Sequence, residues 1–285
     1  MRRLLCLVLP MLLAVPAAAD SGRVLDNLSM RTKILGGDRN FAVYLPPDYD
    51  TSERSYPILY LLHGAGDDHT GWVQFGEVLH IADKAIREGR ATPMIIAMPD
   101  GFTGRIGFFN GPAGDWRYED YFFEEFVPHV EKSFRVKSEK RYRAVAGLSM
   151  GGGGTLIYAM HRPDMFSSAA PLSAWVGPDT VENYRRMDES LVDIDDEVLE
   201  RHRARHNAVD LAQALPVEDL SSVRWYIDCG DDDFLYEGNS RLHITLRQRE
   251  VPHEYRIRDG GHSWPYWRES LPEVLHFVSE AFHQY

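Results

Sequence analysis

Arg143-Ala-Val-Ala-Gly147-Leu148-Ser149-Met150-Gly151-Gly152-Gly153-Gly154-Thr155-Leu156 is the stretch on which the fold turns. An apolar run enters Gly147-x-Ser149-x-Gly151 and leaves as a helix-compatible segment, Thr155 to His161. That is the context of a serine held on a tight strand-to-helix turn. Such a turn has no room for side chains beside the serine, whose own backbone is strained, and glycine answers both demands. The helix starting there offers backbone N–H groups to an oxyanion. A phosphate-cradling loop is the competing reading. A P-loop needs Gly-Lys-Ser/Thr, and no lysine is present; Gly-x-Gly-x-x-Gly belongs at the opening of a first βαβ unit. Ser149 therefore reads as a nucleophile that needs a base, an acid and an oxyanion hole.

Upstream, Pro57–Leu62 and Met94–Met98 are continuous apolar runs, as expected of strands buried on both faces. Phe41–Leu45 and the weakly apolar segment before Gly36-Gly37-Asp38 read as two neighbouring antiparallel strands. Glu77–Glu88 and Glu119–Phe134 have helical spacing, and the long loop Phe102–Arg117 lies between them. Downstream, strands are expected over Ser167–Ser173, Val223–Asp228 and His253–Ile257, and helices over Leu235–Glu250 and Tyr266–Phe282. Strands alternating with helices imply a mostly parallel central sheet flanked by helices. Val176–Ser222 breaks the rhythm; it is charge-rich and helical in pattern, and reads as an insertion over one end of the sheet.

The 285 residues, 44% hydrophobic and 26% charged, suit one α/β domain from residue 20 to 285. Before it, Arg2-Arg3, the apolar run Leu4–Val15 and Ala17-Ala18-Ala19 read as a signal peptide, cut near Ala19, of a secreted or periplasmic protein. Its removal lowers the formal charge from −12 to −14, which argues against nucleic acid as a partner. It also leaves Cys229 as the only cysteine, so no internal disulfide forms. The apolar run is too short for an ordinary membrane span.

In a parallel sheet ligands collect beyond the carboxyl ends of the strands. Cys229-Gly230-Asp231-Asp232-Asp233-Phe234-Leu235 follows one such strand, and Asp259-Gly260-Gly261-His262-Ser263-Trp264 follows another. Ser149, Asp233, His262 is then the chain order of an α/β-hydrolase triad. His262 would take the Ser149 proton, and Asp233 would fix its tautomer, with Asp231 the next choice of acid and Asp228 inside the strand. Met150 N–H would supply one oxyanion donor, and the loop after Leu62 the other, at Ala65 or Gly64. His63 reads as a structural hydrogen-bonding residue. His202 and His206, four apart, lack a third metal ligand and read as a solvated helix face, and Asp193–Glu197 reads as surface. No metal is expected.

Leu61-Leu62-His63-Gly64-Ala65-Gly66 with Trp72, Gly147-Leu148-Ser149-Met150-Gly151-Gly152, Cys229 to Leu235 and Gly261-His262-Ser263-Trp264 together resemble the esterase D-like family of α/β-hydrolases. That family includes feruloyl and acetyl xylan esterases, tributyrin esterases, S-formylglutathione hydrolases and mycolyltransferases. The resemblance covers Arg31 to the chain end. It implies acyl-ester chemistry without a cofactor, with the acid at Asp233 and the oxyanion donors at Ala65 and Met150. Short-chain or carbohydrate-linked esters are the expected substrates, with Trp72, Trp175 and Trp264 as candidate binding residues. An acyltransferase and a silent binding protein with a misaligned Ser149–His262 pair are the alternatives.

Overall fold

The computed structural model describes residues 21–104, 107–187 and 189–283; the leader read over residues 1–19 lies outside them. Among the described residues, eight strands form one sheet: β1 (Arg23–Thr32), β2 (Gly37–Leu45), β3 (Ile58–Leu62), β4 (Ile95–Pro99), β5 (Arg143–Leu148), β6 (Ser168–Leu172), β7 (Arg224–Gly230) and β8 (Glu254–Arg258). Their order is β1-β2-β4-β3-β5-β6-β7-β8. The β1–β2 hairpin closes through Gly36 and Gly37, both in left-handed backbone (φ 66° and 103°), and β2 joins β4 antiparallel. From β4 to β8 every pairing is parallel. This is the expected α/β-hydrolase sheet.

The helices are α1 (Gly71–Gln74), α2 (Val78–Arg87), α3 (Tyr118–Tyr121), α4 (Val127–Ser133), α5 (Met150–His161), α6 (Val181–Met187), α7 (Asp196–Arg205), α8 (Ala208–Ala214), α9 (Val217–Ser221), α10 (Tyr236–Gln248) and α11 (Trp264–His283). They make two cores because side chains alternate across a strand. In β3, Ile58, Tyr60 and Leu62 join one core with Val145, Ile157 and Trp225; Leu59 and Leu61 join the other with Ala146, Leu271 and Val278. With both faces covered, the continuous apolar runs of the central strands need no polar side.

Two expectations change in detail. The helix expected over Glu119–Phe134 forms as α3 and α4 joined by a π turn, Phe122–Phe126, in which Val127 N–H donates to Phe122 O. Pro128 in the first turn of α4 has no N–H, so the ladder cannot run through it unaltered. The stretch 176–222 divides into two parts. Tyr184, Leu191 and Leu199 make a small core of their own around α6 and α7, whereas Ala208, Leu211, Ala212 and Leu220 of α8 and α9 enter the sheet core.

Candidate active site

The turn between β5 and α5 carries Ser149 at φ 54°, ψ −114°, a backbone conformation that costs a non-glycine residue roughly 1–3 kcal/mol. The surroundings over-determine it. Ser149 N–H donates to Leu172 O (2.9 Å), and Ser149 O accepts from Gly153 and Trp175 N–H (3.0 Å each). A Cβ on Gly147 would stand 2.5 Å from Gly151 O, and one on Gly151 would stand 2.5 Å from His63 O. Both positions therefore demand glycine.

The loops after β7 and β8 bring the other two residues to the serine. His262 Nε2 lies 2.9 Å from Ser149 Oγ, and its Nδ1 lies 2.8 Å from Asp233 Oδ2. A carboxylate only accepts, so Nδ1–H donates to Asp233, and Nε2 is left to accept from the Ser149 hydroxyl. The imidazole sits between the rings of Phe234 (4.5 Å) and Trp267 (4.8 Å). Asp233 is buried, and burial alone would raise its pKa. Hydrogen bonds from His262, from Leu235 N–H (2.8 Å) and from Ser173 outweigh that and hold the carboxyl below its ordinary range. The neighbouring acids are engaged elsewhere. Asp228 is buried against Tyr226 (3.2 Å), Arg258 (3.0 Å) and Tyr266, and exposed Asp231 accepts from Gly260 N–H (3.0 Å).

Met150 opens α5, and the first amides of a helix have no intrahelical acceptor. The loop after β3 backs onto the same place: a Cβ on Gly64 would come within 3.6 Å of Ser149 Cβ, with Ala65 exposed beside it. His63 holds that loop. Gly101 N–H donates to its Nε2 (2.8 Å), so Nδ1 carries the proton and donates to Gly64 O (2.8 Å). Burial pushes the His63 pKa down to about 4. It is a neutral tie between two loops, as its place in the sequence suggests.

The tryptophans separate. Trp72 is only 1% exposed and its indole N–H donates to Leu62 O (3.0 Å), so it is a core residue and not a substrate contact. Trp264 packs with Trp72, Trp267 and Phe75 in one aromatic cluster. Trp175 is half-buried, rests near Phe109 and edges an open groove.

His202 and His206 are not a solvated face. His202 Nε2–H donates to Asn110 O (2.7 Å) and its Nδ1 faces the Tyr184 hydroxyl (2.7 Å). His206 Nδ1–H donates to His202 O (2.8 Å), and the two rings stack at 4.0 Å. Burial, and then the neighbouring His206, push the His202 pKa down to about 3. These histidines tie α7 to the loop ahead of α3.

Three residues of this site carry no signal in the sequence. Ser173, at φ 44°, receives a hydrogen bond from Trp267 Nε1 (3.0 Å) and helps to hold the Asp233 carboxyl below its ordinary range. Buried Asn239 bonds both Ala174 N–H (3.3 Å) and Ala174 O (2.9 Å), and also Leu235 O (2.9 Å), pinning the loop after β6 to the Asp233 loop. Phe234 stands out only as an unpacked aromatic beside the acid.

The family model described as "Putative esterase" matches residues 32–278. An esterase of Mycobacterium tuberculosis is 29% identical over 258 residues, which is 81% of this chain and 54% of that protein. The chain thus spans about half the length of the first curated relatives it matches. An acetyl esterase of Caldicellulosiruptor saccharolyticus is 24% identical over 282 residues, covering 89% of this chain and 97% of that protein. A solved ferulic acid esterase superposes with a TM-score of 0.81 at 35% identity, over 92% of this chain and 99% of that one.

Proposed function

The chain belongs to the family described as "Putative esterase", and on that footing we propose that it is an exported serine carboxylesterase using Ser149, His262 and Asp233. The observation that carries this is the unbroken relay from Asp233 through His262 to Ser149, with bonds of 2.8 and 2.9 Å. Ser149 Oγ forms a bond to the carbonyl carbon as its proton passes to His262 Nε2. The carbonyl oxygen becomes an oxyanion, held by Met150 N–H and Ala65 N–H; each such donor is worth roughly 3 kcal/mol in related chemistry. His262 then returns the proton to the departing alkoxide, the C–O bond breaks, and alcohol leaves. Water repeats the sequence to release the acid and restore Ser149.

Short-chain or carbohydrate-linked esters, acetyl or feruloyl, are the favoured substrates, supported by the likeness to a ferulic acid esterase and an acetyl esterase. Export is supported by the basic, apolar and Ala-x-Ala order of residues 1–19. A silent scaffold would need a crowded serine, whereas Ser149 is partly exposed and in hydrogen-bond reach of its base. The test is hydrolysis of p-nitrophenyl acetate and of acetyl and feruloyl sugar esters by purified protein. Ser149→Ala abolishes turnover with the fold intact, and retained turnover overturns the reading. Addition of a sugar alcohol separates hydrolase from acyltransferase: capture of the acyl group in preference to water marks the transferase.

A further inference from the structure

Among the described residues, four that are not glycine have left-handed backbone: Glu77, Ser149, Ser173 and Glu250. Glu77 and Glu250 are exposed, at the start of α2 and just past the end of α10. The other two are serines at the site. Ser149 is the nucleophile of the esterase reading, and Ser173, at φ 44°, is wholly buried. Strained residues persist where their surroundings over-determine them, and they gather at functional sites. Glycine is the residue such backbone prefers, so a buried serine there points to a use for the hydroxyl.

The bonds around Ser173 reach every member of the triad. Its own N–H donates to Asp228 O (2.7 Å), which fixes the backbone. On its two sides, Leu172 O accepts from Ser149 N–H (2.9 Å) and Trp175 N–H donates to Ser149 O (3.0 Å), so the turn wraps the nucleophile. The next residue, Ala174, is held by Asn239 at its N–H (3.3 Å) and its O (2.9 Å), and Asn239 also bonds Leu235 O in the loop of the acid. The Ser173 hydroxyl accepts from Trp267 Nε1–H (3.0 Å), and the Trp267 ring stands perpendicular to the His262 imidazole, 4.8 Å away. An indole N–H only donates, so this bond takes a lone pair and leaves the hydroxyl its proton. Burial would raise the Asp233 carboxyl; His262, Leu235 N–H and then Ser173 hold it below its ordinary range.

We propose that Ser173 is a positioning residue: its hydroxyl, held in strained backbone, sets Trp267 against His262 and keeps the loops of nucleophile, base and acid in register. The inference rests on the triad reading of Ser149, His262 and Asp233. Ser173→Ala and Ser173→Gly test it on p-nitrophenyl acetate. Both lose the hydroxyl, but only glycine relaxes the backbone, so the glycine variant melts at a higher temperature than the alanine variant. Their kcat values nevertheless fall alike, about tenfold with KM unchanged, as for a catalytic pair held less firmly. Trp267→Phe, which keeps a ring and loses the N–H, lowers kcat by a smaller factor and adds nothing to the loss in Ser173→Gly. Wild-type kcat in Ser173→Gly overturns the proposal, because the serine would then serve the fold alone. Fully additive losses in the double variant overturn it too, because Ser173 and Trp267 would then act apart. A fluorophosphonate probe separates this proposal from the triad reading. Wild-type protein that is not labelled at Ser149 removes both; labelled protein with wild-type kcat in Ser173→Gly removes the positioning role alone.

Discussion

Helix α5 has a carboxylate–histidine pair at each end. At its start, Asp233 holds His262 beside Ser149; at its last residue, Glu119 Oε1 holds His161 Nδ1 at 2.7 Å. The two pairs differ in what faces the other ring nitrogen. For His262 it is a hydroxyl, which can donate, so a singly protonated ring is satisfied with Nε2 ready to take a proton. For His161 it is Arg205 O at 2.9 Å, which can only accept. Both nitrogens of His161 face oxygen acceptors, so neither is aimed at a group that could give it a proton. The helix dipole favours an oxyanion at the start of α5. A histidine beside a carboxylate is thus a base or a structural tie according to its third partner.

Substitutions at the two ends should separate them. Ser149→Ala has the largest expected effect, a loss of about 10⁵-fold or more in kcat on p-nitrophenyl acetate, with thermal stability kept. Asp233→Asn should follow, at about 10³- to 10⁴-fold in kcat, because the amide favours the wrong tautomer. Glu119→Gln, its counterpart, should leave kcat near wild type in the same assay and lower stability by about 2 kcal/mol in denaturant melts, since it weakens the largely buried hydrogen bond to His161. A loss of turnover in Glu119→Gln comparable to that of Asp233→Asn would break the distinction.

The smallest effect is in the acid stability profile. Burial holds His63 and His202 down to about 4 and about 3, so below the ordinary histidine value of 6.5 the unfolded chain binds protons that the folded chain refuses. Stability should therefore begin to fall as pH drops through 6.5. Burial would raise Glu119, but its hydrogen bond to His161 and the nearby His206, 3.6 Å away, outweigh that and hold it at about 2 against an ordinary 4.5. Its contribution is complete above 4.5 and is lost as pH falls from there toward 2. Melting temperature against pH should show both declines in the wild type and only the first in Glu119→Gln.

Ser149 and His262 were legible in sequence because each lies in a glycine-bounded loop just past an apolar run, where local chemistry restricts what can stand. Asp233 was legible from its place after a strand and from chain order, but less sharply, since four aspartates crowd that strand end; its selection is tertiary, made by Tyr266 and Arg258 holding Asp228 and by His262 and Leu235 N–H reaching Asp233. Trp72 misled because an aromatic residue near a strand end reads alike whether it faces ligand or core. The direction of the His202–His206 face depends on Asn110, about ninety residues away, and no periodicity within α7 can show it. Ser173 and Asn239 are single polar residues in ordinary surroundings, and only the meeting of three loops gives them a role.

The strand that leads to His262 has one further consequence. Among the described residues β8 is one of the two edge strands, paired only to β7 and largely open to water, whereas β5, which leads to Ser149, is central. Edge elements open with less free energy than the centre of a sheet. Fraying at that margin would carry the imidazole away from the hydroxyl while the rest of the molecule stayed folded. Inactivation by heat is then a local event that comes before melting, and its temperature is set by the weakest rung of the ladder.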